Sequence, residues 1–447
     1  MDFLHNLKST VRKLAPKQLL NQYHKCWAMF GAFFYEFPSQ SMTVIGVTGT
    51  NGKTTTCHII AHILEIAGYK VGMASTIDFK IGDKLWVNTL KQGMLGHARL
   101  QKFLKDMKNA GCAYAVIEST SEGLAQFRAW GIDYRAAVFT NLTPEHIEAH
   151  GSFEKYKEAK GILFDYVVRR PFRKKHGRGE SISVINADDP HAGYFLKFKA
   201  DKRITYGITH TEKRASHFCA EGITMEPSGS IFFVRETEFF MPLMGKANIY
   251  NGLAGIALCF GMGLSLNTIK DALATVPAIP GRIEAIKAGQ PFAVIIDYAH
   301  DPVALENLYE TVRVIHPLGR LINVLGAVGG GRDRVKRKPL GKLAGRYGDS
   351  VVITNEDPYE DDPMQIIREV EEGVQSALCI RGGAPHVYGE TYFIVEDRRE
   401  AIQKAFSLAQ KGDVVVISGK GAEETMAVKG GYISWSDKKV AMEILSA

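Results

Sequence analysis

Closely spaced cysteine pairs are missing from this 447-residue sequence: Cys26, Cys57, Cys112, Cys219, Cys259 and Cys379 stand far apart, with no CxxC spacing. Neither a zinc ribbon nor a disulfide framework fits that spacing, so reduced and mostly buried thiols are expected. Long apolar runs are missing too. No stretch reaches the roughly 18 residues that cross a bilayer, and no secretory cleavage pattern follows the first residues, so a cytoplasmic location is expected. Charge of one sign is scarce, 55 Lys and Arg against 48 Asp and Glu leaving +7. So thin an excess argues against a nucleic-acid binder and suits anionic small ligands. The 44 glycines follow no period, which removes collagen-like and low-complexity readings.

What remains is a globular composition, 45% hydrophobic and 23% charged, over a length that suits two to four domains at roughly 150 residues each. Residues 1–41 form a shortened N-terminal helical segment, in which Lys8, Arg12, Lys13, Lys17 and Lys25 surround the apolar run Trp27 to Phe34. Helices packed on the main body are one reading. Weak contact with an anionic membrane surface, peripheral at its inner face, is the other. From Thr43 the pattern is α/β, with apolar runs at Val44–Val47, Val71–Ala74, Ala113–Ile117, Ala136–Phe139 and Val184–Asn186. Shorter strands and turns are expected over 205–245, and helices over 249–275. After Ile279-Pro280-Gly281 the alternation restarts, with strand cores at Val294–Ile296, Leu321–Val324, Val351–Ile353 and Val414–Ile417. The expected organisation is a central parallel-sheet domain over 42–280 and a smaller Rossmann-like α/β domain over 281–447.

The most specific local signal is Gly46-Val47-Thr48-Gly49-Thr50-Asn51-Gly52-Lys53-Thr54-Thr55, between a strand and a helical run. Glycines at this spacing let backbone N–H groups converge on phosphate oxygens, and the helix N-terminus adds its positive dipole end. Lys53 is placed to neutralise the β- and γ-phosphates, and the Thr54 hydroxyl suits Mg²⁺. ATP is therefore expected, held by Gly49, Thr50, Asn51, Gly52, Lys53, Thr54 and Thr55.

Further segments follow in order: Glu118-Ser119-Thr120-Ser121, Phe139-Thr140-Asn141-Leu142-Thr143-Pro144-Glu145-His146, Tyr156 to Lys160, Asn248 with Asn251, Gly281-Arg282 and Asp297-Tyr298-Ala299-His300. Gly330-Gly331-Arg332-Asp333 and Gly419-Lys420-Gly421-Ala422-Glu423 complete the series. Together with the phosphate loop, this set resembles the Mur ligases, ATP-dependent amide-forming enzymes of peptidoglycan precursor synthesis. The last motifs are most similar to the MurE-type branch, the UDP-MurNAc-tripeptide synthetases. The resemblance implies an ADP-forming acid–amino-acid ligase working through an acyl phosphate, with a muramyl-peptide precursor and an amino acid as substrates. It implies catalytic roles for Lys53, Glu118, His146 and Lys160, and two Mg²⁺ sites drawing on Thr54, Glu118, His146 and Lys160. In this family the lysine matching Lys160 carries a carbamate. Asn248, Asn251, Arg282, Asp297 and His300 would contact nucleotide. Asn88, Thr89, Ser121, Arg332, Asp357, Tyr359, Gly419 and Glu423 would contact substrates. A monomer is expected.

Three departures qualify the match. Only about 40 residues precede the phosphate loop, where the MurE type carries a uridine-binding domain of roughly a hundred. The diaminopimelate-selective segment D-N-P-R reads Glu356-Asp357-Pro358-Tyr359 here, so two acids replace a guanidinium and suit a distal ammonium better. The Ser-His pair usual after Glu118 reads Ser121-Glu122. Two rival readings are a folylpolyglutamate synthase-like ligase, whose loop typically reads G-K-G-S, and a non-catalytic nucleotide-binding scaffold.

Overall fold

The computed structural model describes residues 17–90, 92–145, 147–170, 172, 179–209, 217–331 and 334–446. Of the expected functional positions, His146 and Arg332 lie outside the described residues, as do Lys8, Arg12 and Lys13 of the N-terminal segment. The chain divides into two compact units. One comprises the residues up to Ala220 together with Tyr250–Leu273; the other comprises Glu221–Ile249 and the residues from Ala274 onward.

The first unit is organised by a nine-stranded sheet of β1 (Thr43–Thr48), β2 (Val71–Ala74), β3 (Asp78–Ile81), β4 (Lys84–Val87), β5 (Tyr114–Glu118), β6 (Tyr134–Phe139), β7 (Ile182–Asn186), β8 (Lys202–Gly207) and β9 (Phe218–Cys219). Their order is β4-β3-β2-β5-β1-β6-β7-β8-β9. All neighbours pair parallel except β2–β3 and β3–β4. Parallel strands are covered on both faces, which is why β1, β2 and β5 have near-continuous apolar centres rather than alternating patterns. Helix Lys53–Ile66 buries Ile59, Ile60, Ile63 and Leu64. Helix Phe153–Arg169 buries Leu163, Phe164 and Val167. Strand β1 lies between β5 and β6, so the chain leaves it towards one side and returns on the other. Ligands of open α/β sheets bind outside the carboxyl ends of strands at such a switch.

In the second unit, β10 (Glu221–Glu226), β11 (Gly229–Val234) and β12 (Thr237–Met241) form an antiparallel sheet. A six-stranded sheet holds β13 (Glu284–Ile286), β14 (Ala293–Asp297), β15 (Leu321–Leu325), β16 (Ser350–Ile353), β17 (Tyr392–Ile394) and β18 (Val414–Ser418), in the order β13-β14-β18-β15-β16-β17. Only β13 runs antiparallel to its neighbour. Two apolar layers flank this sheet, one around Leu308, Leu340 and Ile367 and the other around Ile402, Phe406 and Ala441. Past β18 the chain folds back as a hairpin, Thr425–Val428 with Gly431–Ser434.

Candidate active site

The phosphate loop runs from the end of β1 into helix Lys53–Ile66. Gly52 sits at the helix start with φ +80°, a left-handed conformation that favours glycine, and a Cβ there would lie 2.3 Å from Asn251 Oδ1. At Gly49 a Cβ would fall 1.8 Å from Thr140 Oγ1. The glycines are thus required by close neighbours as well as by the turn. No side chain caps this helix, so its first N–H groups point at whatever anion settles there. The loop itself is braced from β6's far end: the Thr50 amide donates to the Asn141 carbonyl at 2.8 Å and the Asn51 amide to Asn141 Oδ1 at 2.8 Å. Thr140 Oγ1 donates to the Asn51 carbonyl at 2.6 Å. Lys53 Nζ arches back onto the Thr50 carbonyl at 2.6 Å.

Glu118 ends β5 directly beside the loop. Its Oε2 accepts from Thr54 Oγ1 at 2.8 Å and from the Thr76 amide at 2.9 Å, and its Oε1 accepts from Thr76 Oγ1 at 2.7 Å. Thr54 and Glu118 are both buried. A hydroxyl and a carboxylate oxygen in contact, at a site that also gathers phosphate, match what Mg²⁺ takes: few protein oxygens, completed by phosphate and water. Among the described residues no group of three or more His, Cys, Asp and Glu side chains is placed to hold a metal ion by itself. The residues present therefore fit Mg²⁺.

Lys160 lies on the helix Phe153–Arg169, only 2% exposed. Its Nζ donates to the Gly49 carbonyl at 2.6 Å and stands 4.3 Å from the Tyr156 ring. Burial, reinforced by the Lys53 ammonium, pushes it well below the ordinary lysine range, against the opposite pull of Glu145 and Glu118. Tyr156 in turn bonds Thr50 Oγ1 at 3.0 Å, so this helix and the loop are tied at two points. Asn251 Oδ1 accepts from Thr56 Oγ1 at 3.2 Å. Thr55 is buried in the first helical turn.

The expected acceptor residues divide. Asn88 is buried, its Nδ2 donating to the Ser75 carbonyl at 2.9 Å and the Gln92 carbonyl at 3.0 Å. That closes a loop whose Gly93 stands against Thr76, Thr120 and Glu118. Thr89 is exposed on the same loop. Ser121, first residue of a short helix capped by Thr120, has its hydroxyl 3.1 Å from His150 Nε2. A histidine distant in sequence thus meets the serine whose next neighbour is Glu122. Neither His150 nor Thr76 was legible as a site residue, because each reaches its partner only through the fold.

In the second unit, Asp297 ends β14 and organises the turn before β13. Its Oδ2 accepts from the Ile283 amide and its Oδ1 from the Ala299 amide, both at 2.7 Å. Burial raises its pKa, while Arg282 and those two amides resist the rise. Ile283 is held at φ +47°, a conformation that is a genuine outlier for a β-branched residue. Arg282 lies with its guanidinium 4.6 Å from the centre of the Tyr298 ring, and its buried Nε has no hydrogen-bond partner among the described residues. His300 Nδ1 is 2.8 Å from the Tyr298 carbonyl. Asn248 is buried, donating to the Met244 carbonyl at 2.7 Å.

The candidate amino-acid residues converge on Lys420, which is fully buried. Its Nζ lies 2.9 Å from both Asp357 oxygens and also donates to Glu423 Oε2. Burial works against the ammonium, yet Glu423 and Asp357 outweigh it and hold the pKa above the usual lysine range. Asp357 therefore already has an internal cation. Glu356 beside it does not: it is 3% exposed and forms no hydrogen bond or ion pair with the described residues. Burial lifts its pKa to about 7, more than Arg398 lowers it. At Gly419 (φ +107°) a Cβ would lie 2.4 Å from Glu356 Oε2, so this glycine lets the loop close over the carboxylate. Tyr359, at φ +53°, packs its ring against Gly330. Tyr298 spans from Arg282 to this cluster, its hydroxyl 3.5 Å from Glu423 Oε1.

A phosphate loop on a parallel sheet, a Thr–Glu oxygen pair beside it and a second α/β unit with a buried charge cluster define an ATP-using ligase architecture. The chain belongs to the Mur ligase family: residues 47–259 match the Mur ligase middle domain, and residues 281–421 match the Mur ligase, glutamate ligase domain. It is an ADP-forming ligase of that family, whose members use ATP and Mg²⁺ in peptidoglycan precursor synthesis. It is 39% identical over 432 residues to the UDP-N-acetylmuramoyl-L-alanyl-D-glutamate–2,6-diaminopimelate ligase of Geobacillus thermodenitrificans, covering 95% of this chain and 83% of that one. With the UDP-N-acetylmuramyl-tripeptide synthetase of Roseiflexus sp. it shares 38% over 435 residues, 94% of this chain and 81% of the relative. A solved UDP-N-acetylmuramoyl-L-alanyl-D-glutamate–2,6-diaminopimelate ligase superposes with TM-score 0.62 at 28% identity, covering 94% of this chain and 82% of the other. A folylpolyglutamate synthase from Mycobacterium tuberculosis shares the fold alone, with TM-score 0.67 at 17% identity over 88% of this chain and 92% of that one.

Proposed function

We propose that this ligase joins an amino acid bearing a distal ammonium group to the terminal carboxylate of a UDP-MurNAc-dipeptide-like precursor. The carboxylate oxygen attacks the γ-phosphorus of ATP and ADP leaves; the amine nitrogen then attacks the acyl carbon, phosphate departs and the nitrogen loses its proton. Lys53 and the uncapped N–H groups after Gly52 hold the phosphates of the nucleotide. Thr54 and Glu118 hold Mg²⁺, which supplies neutralising charge where two anions must meet. Arg282 is assigned to nucleotide phosphate, Asp297 to the ribose hydroxyls, His300 to their vicinity and Asn248 with Asn251 to the adenine. The contact between Thr54 and Glu118 at the head of an uncapped helix is the observation that carries this reading.

Arg332 is assigned to the amino acid's carboxylate, and Glu356, the buried acid with no hydrogen bond or ion pair among the described residues, to its distal ammonium. Tyr359 supplies no guanidinium for a distal carboxylate, which favours lysine over diaminopimelate. Lys160 is assigned a carbamate that, with His146, holds a second Mg²⁺. A buried amine with no carboxylate in ion-pair contact among the described residues gains most from becoming an anion beside a cation. Carbon-13 bicarbonate should give a carbamate resonance that Lys160→Arg abolishes; an unchanged spectrum overturns that assignment. For the reaction, phosphate release is measured with UDP-MurNAc-dipeptide and lysine, ornithine or diaminopimelate in turn. Release dependent on both acceptor and amine is expected, fastest with lysine. Silence with every amine removes the wall-precursor reading.

A further inference from the structure

The helix Lys17–Phe34 is apolar on two faces, and the first unit uses only one of them. The face turned inward is small. His24, Ala28, Gly31 and Ala32 are buried, and Gly31 comes so close to the helix His97–Asn109 that a Cβ would lie 2.8 Å from Ala98 Cα. His24 stacks on His97 with ring centres 4.9 Å apart. Close backbone approach of this kind needs small residues, and it fixes which way the rest of the helix points.

The large residues point outward. Tyr23, Trp27, Phe30 and Phe34 follow one another at intervals of three or four and are 56%, 44%, 56% and 66% exposed. That spacing places them on one stripe, and the rings touch in sequence: Tyr23–Trp27 at 6.2 Å, Trp27–Phe30 at 5.8 Å and Phe30–Phe34 at 5.7 Å. An exposed stripe of aromatics costs solubility unless something covers it. The surrounding sequence says what kind of partner. Residues 1–34 hold Lys8, Arg12, Lys13, Lys17 and Lys25 against a single acid, Asp2. A segment rich in basic residues that carries a Trp- and Phe-bearing helix face fits a bilayer surface, where rings lie at headgroup level and anionic lipid attracts the cations. No helix among the described residues is long and apolar enough to cross a membrane, so the contact is one of lying on the surface.

We propose that the Tyr23-Trp27-Phe30-Phe34 stripe docks this ligase on anionic lipid bilayers. The full-length protein is co-sedimented with vesicles of phosphatidylglycerol and phosphatidylcholine, and with vesicles of phosphatidylcholine alone. At least about tenfold stronger partition to the anionic vesicles is expected, weakening with added salt. Phe30→Ser/Phe34→Ser should lose that partition while keeping the unmodified protein's melting temperature and its phosphate release. Lys8→Glu/Lys13→Glu, which leaves the stripe intact, should lose it as well. Equal partition to both vesicle types, or none to either, overturns the proposal. So does a concentration-dependent dimer that Phe30→Ser/Phe34→Ser abolishes, because the stripe would then be covered by a second copy of the chain.

Discussion

The phosphate loop and the Lys420 cluster solve opposite problems in holding charge. The loop presents one lysine and a row of backbone dipoles, and much of its bracing engages main-chain atoms: the Thr50 amide on the Asn141 carbonyl, Thr140 Oγ1 on the Asn51 carbonyl and Lys53 Nζ on the Thr50 carbonyl. Its charge is left for a ligand. The cluster instead holds one ammonium, Lys420, between two carboxylates, Asp357 and Glu423, with a third acid, Glu356, buried beside it and without a hydrogen bond or ion pair among the described residues. A site for a polyanion is thus made by arranging dipoles around space. The site proposed for an ammonium instead gathers more carboxylates than its one internal lysine can neutralise.

Four substitutions test that contrast. Lys53→Ala removes the loop's one lysine, proposed above to hold the phosphates, and amine-dependent phosphate release should fall by about a thousandfold with the melting temperature little changed. Release within tenfold of the parent would show that the dipoles suffice. Lys420→Met removes the ammonium held between Asp357 and Glu423, and denaturant titration should find the protein about 4 kcal/mol less stable. A loss confined to activity would mean that this pairing does not support the fold. Glu356→Gln tests the unpaired acid. Its carboxyl keeps a proton up to about pH 7 when folded, against an ordinary 4.5, so between those values the folded state binds more protons than the unfolded one. Stability then falls as pH rises through this window, and the amide should be more stable by about 3 kcal/mol above it and equal below it. Pulse-free thermal melts across that range measure the difference; a constant offset would refute the burial argument. Thr76→Val, the mildest, removes one bond that orients Glu118, and the Mg²⁺ concentration for half-maximal release should rise about tenfold.

The same contrast explains what could be read before the fold was known. The phosphate loop is contiguous, so its glycines, Lys53 and Thr54 announce it, and the Val- and Ile-rich runs of β1 and β18 announce buried parallel strands. The β3–β4 hairpin was not legible, because each strand is four residues long and Leu85, Trp86 and Val87 of β4 are exposed. The pairing of Lys420 with Asp357 joins residues 63 apart in the chain. No local pattern marks it, and the pair leaves Glu356 rather than Asp357 as the acid without a partner. His150 against Ser121 is hidden for the same reason.

Tyr298 connects two ends of one unit. Its ring carries the Arg282 guanidinium on one side, and its hydroxyl reaches Glu423 on the other. A ligand that draws Arg282 away from the ring, or one that competes for Glu423, changes the same side chain. By thermodynamic reciprocity, whatever factor a ligand at Arg282 applies through Tyr298 to the affinity of a ligand at Glu423, the second must return to the first.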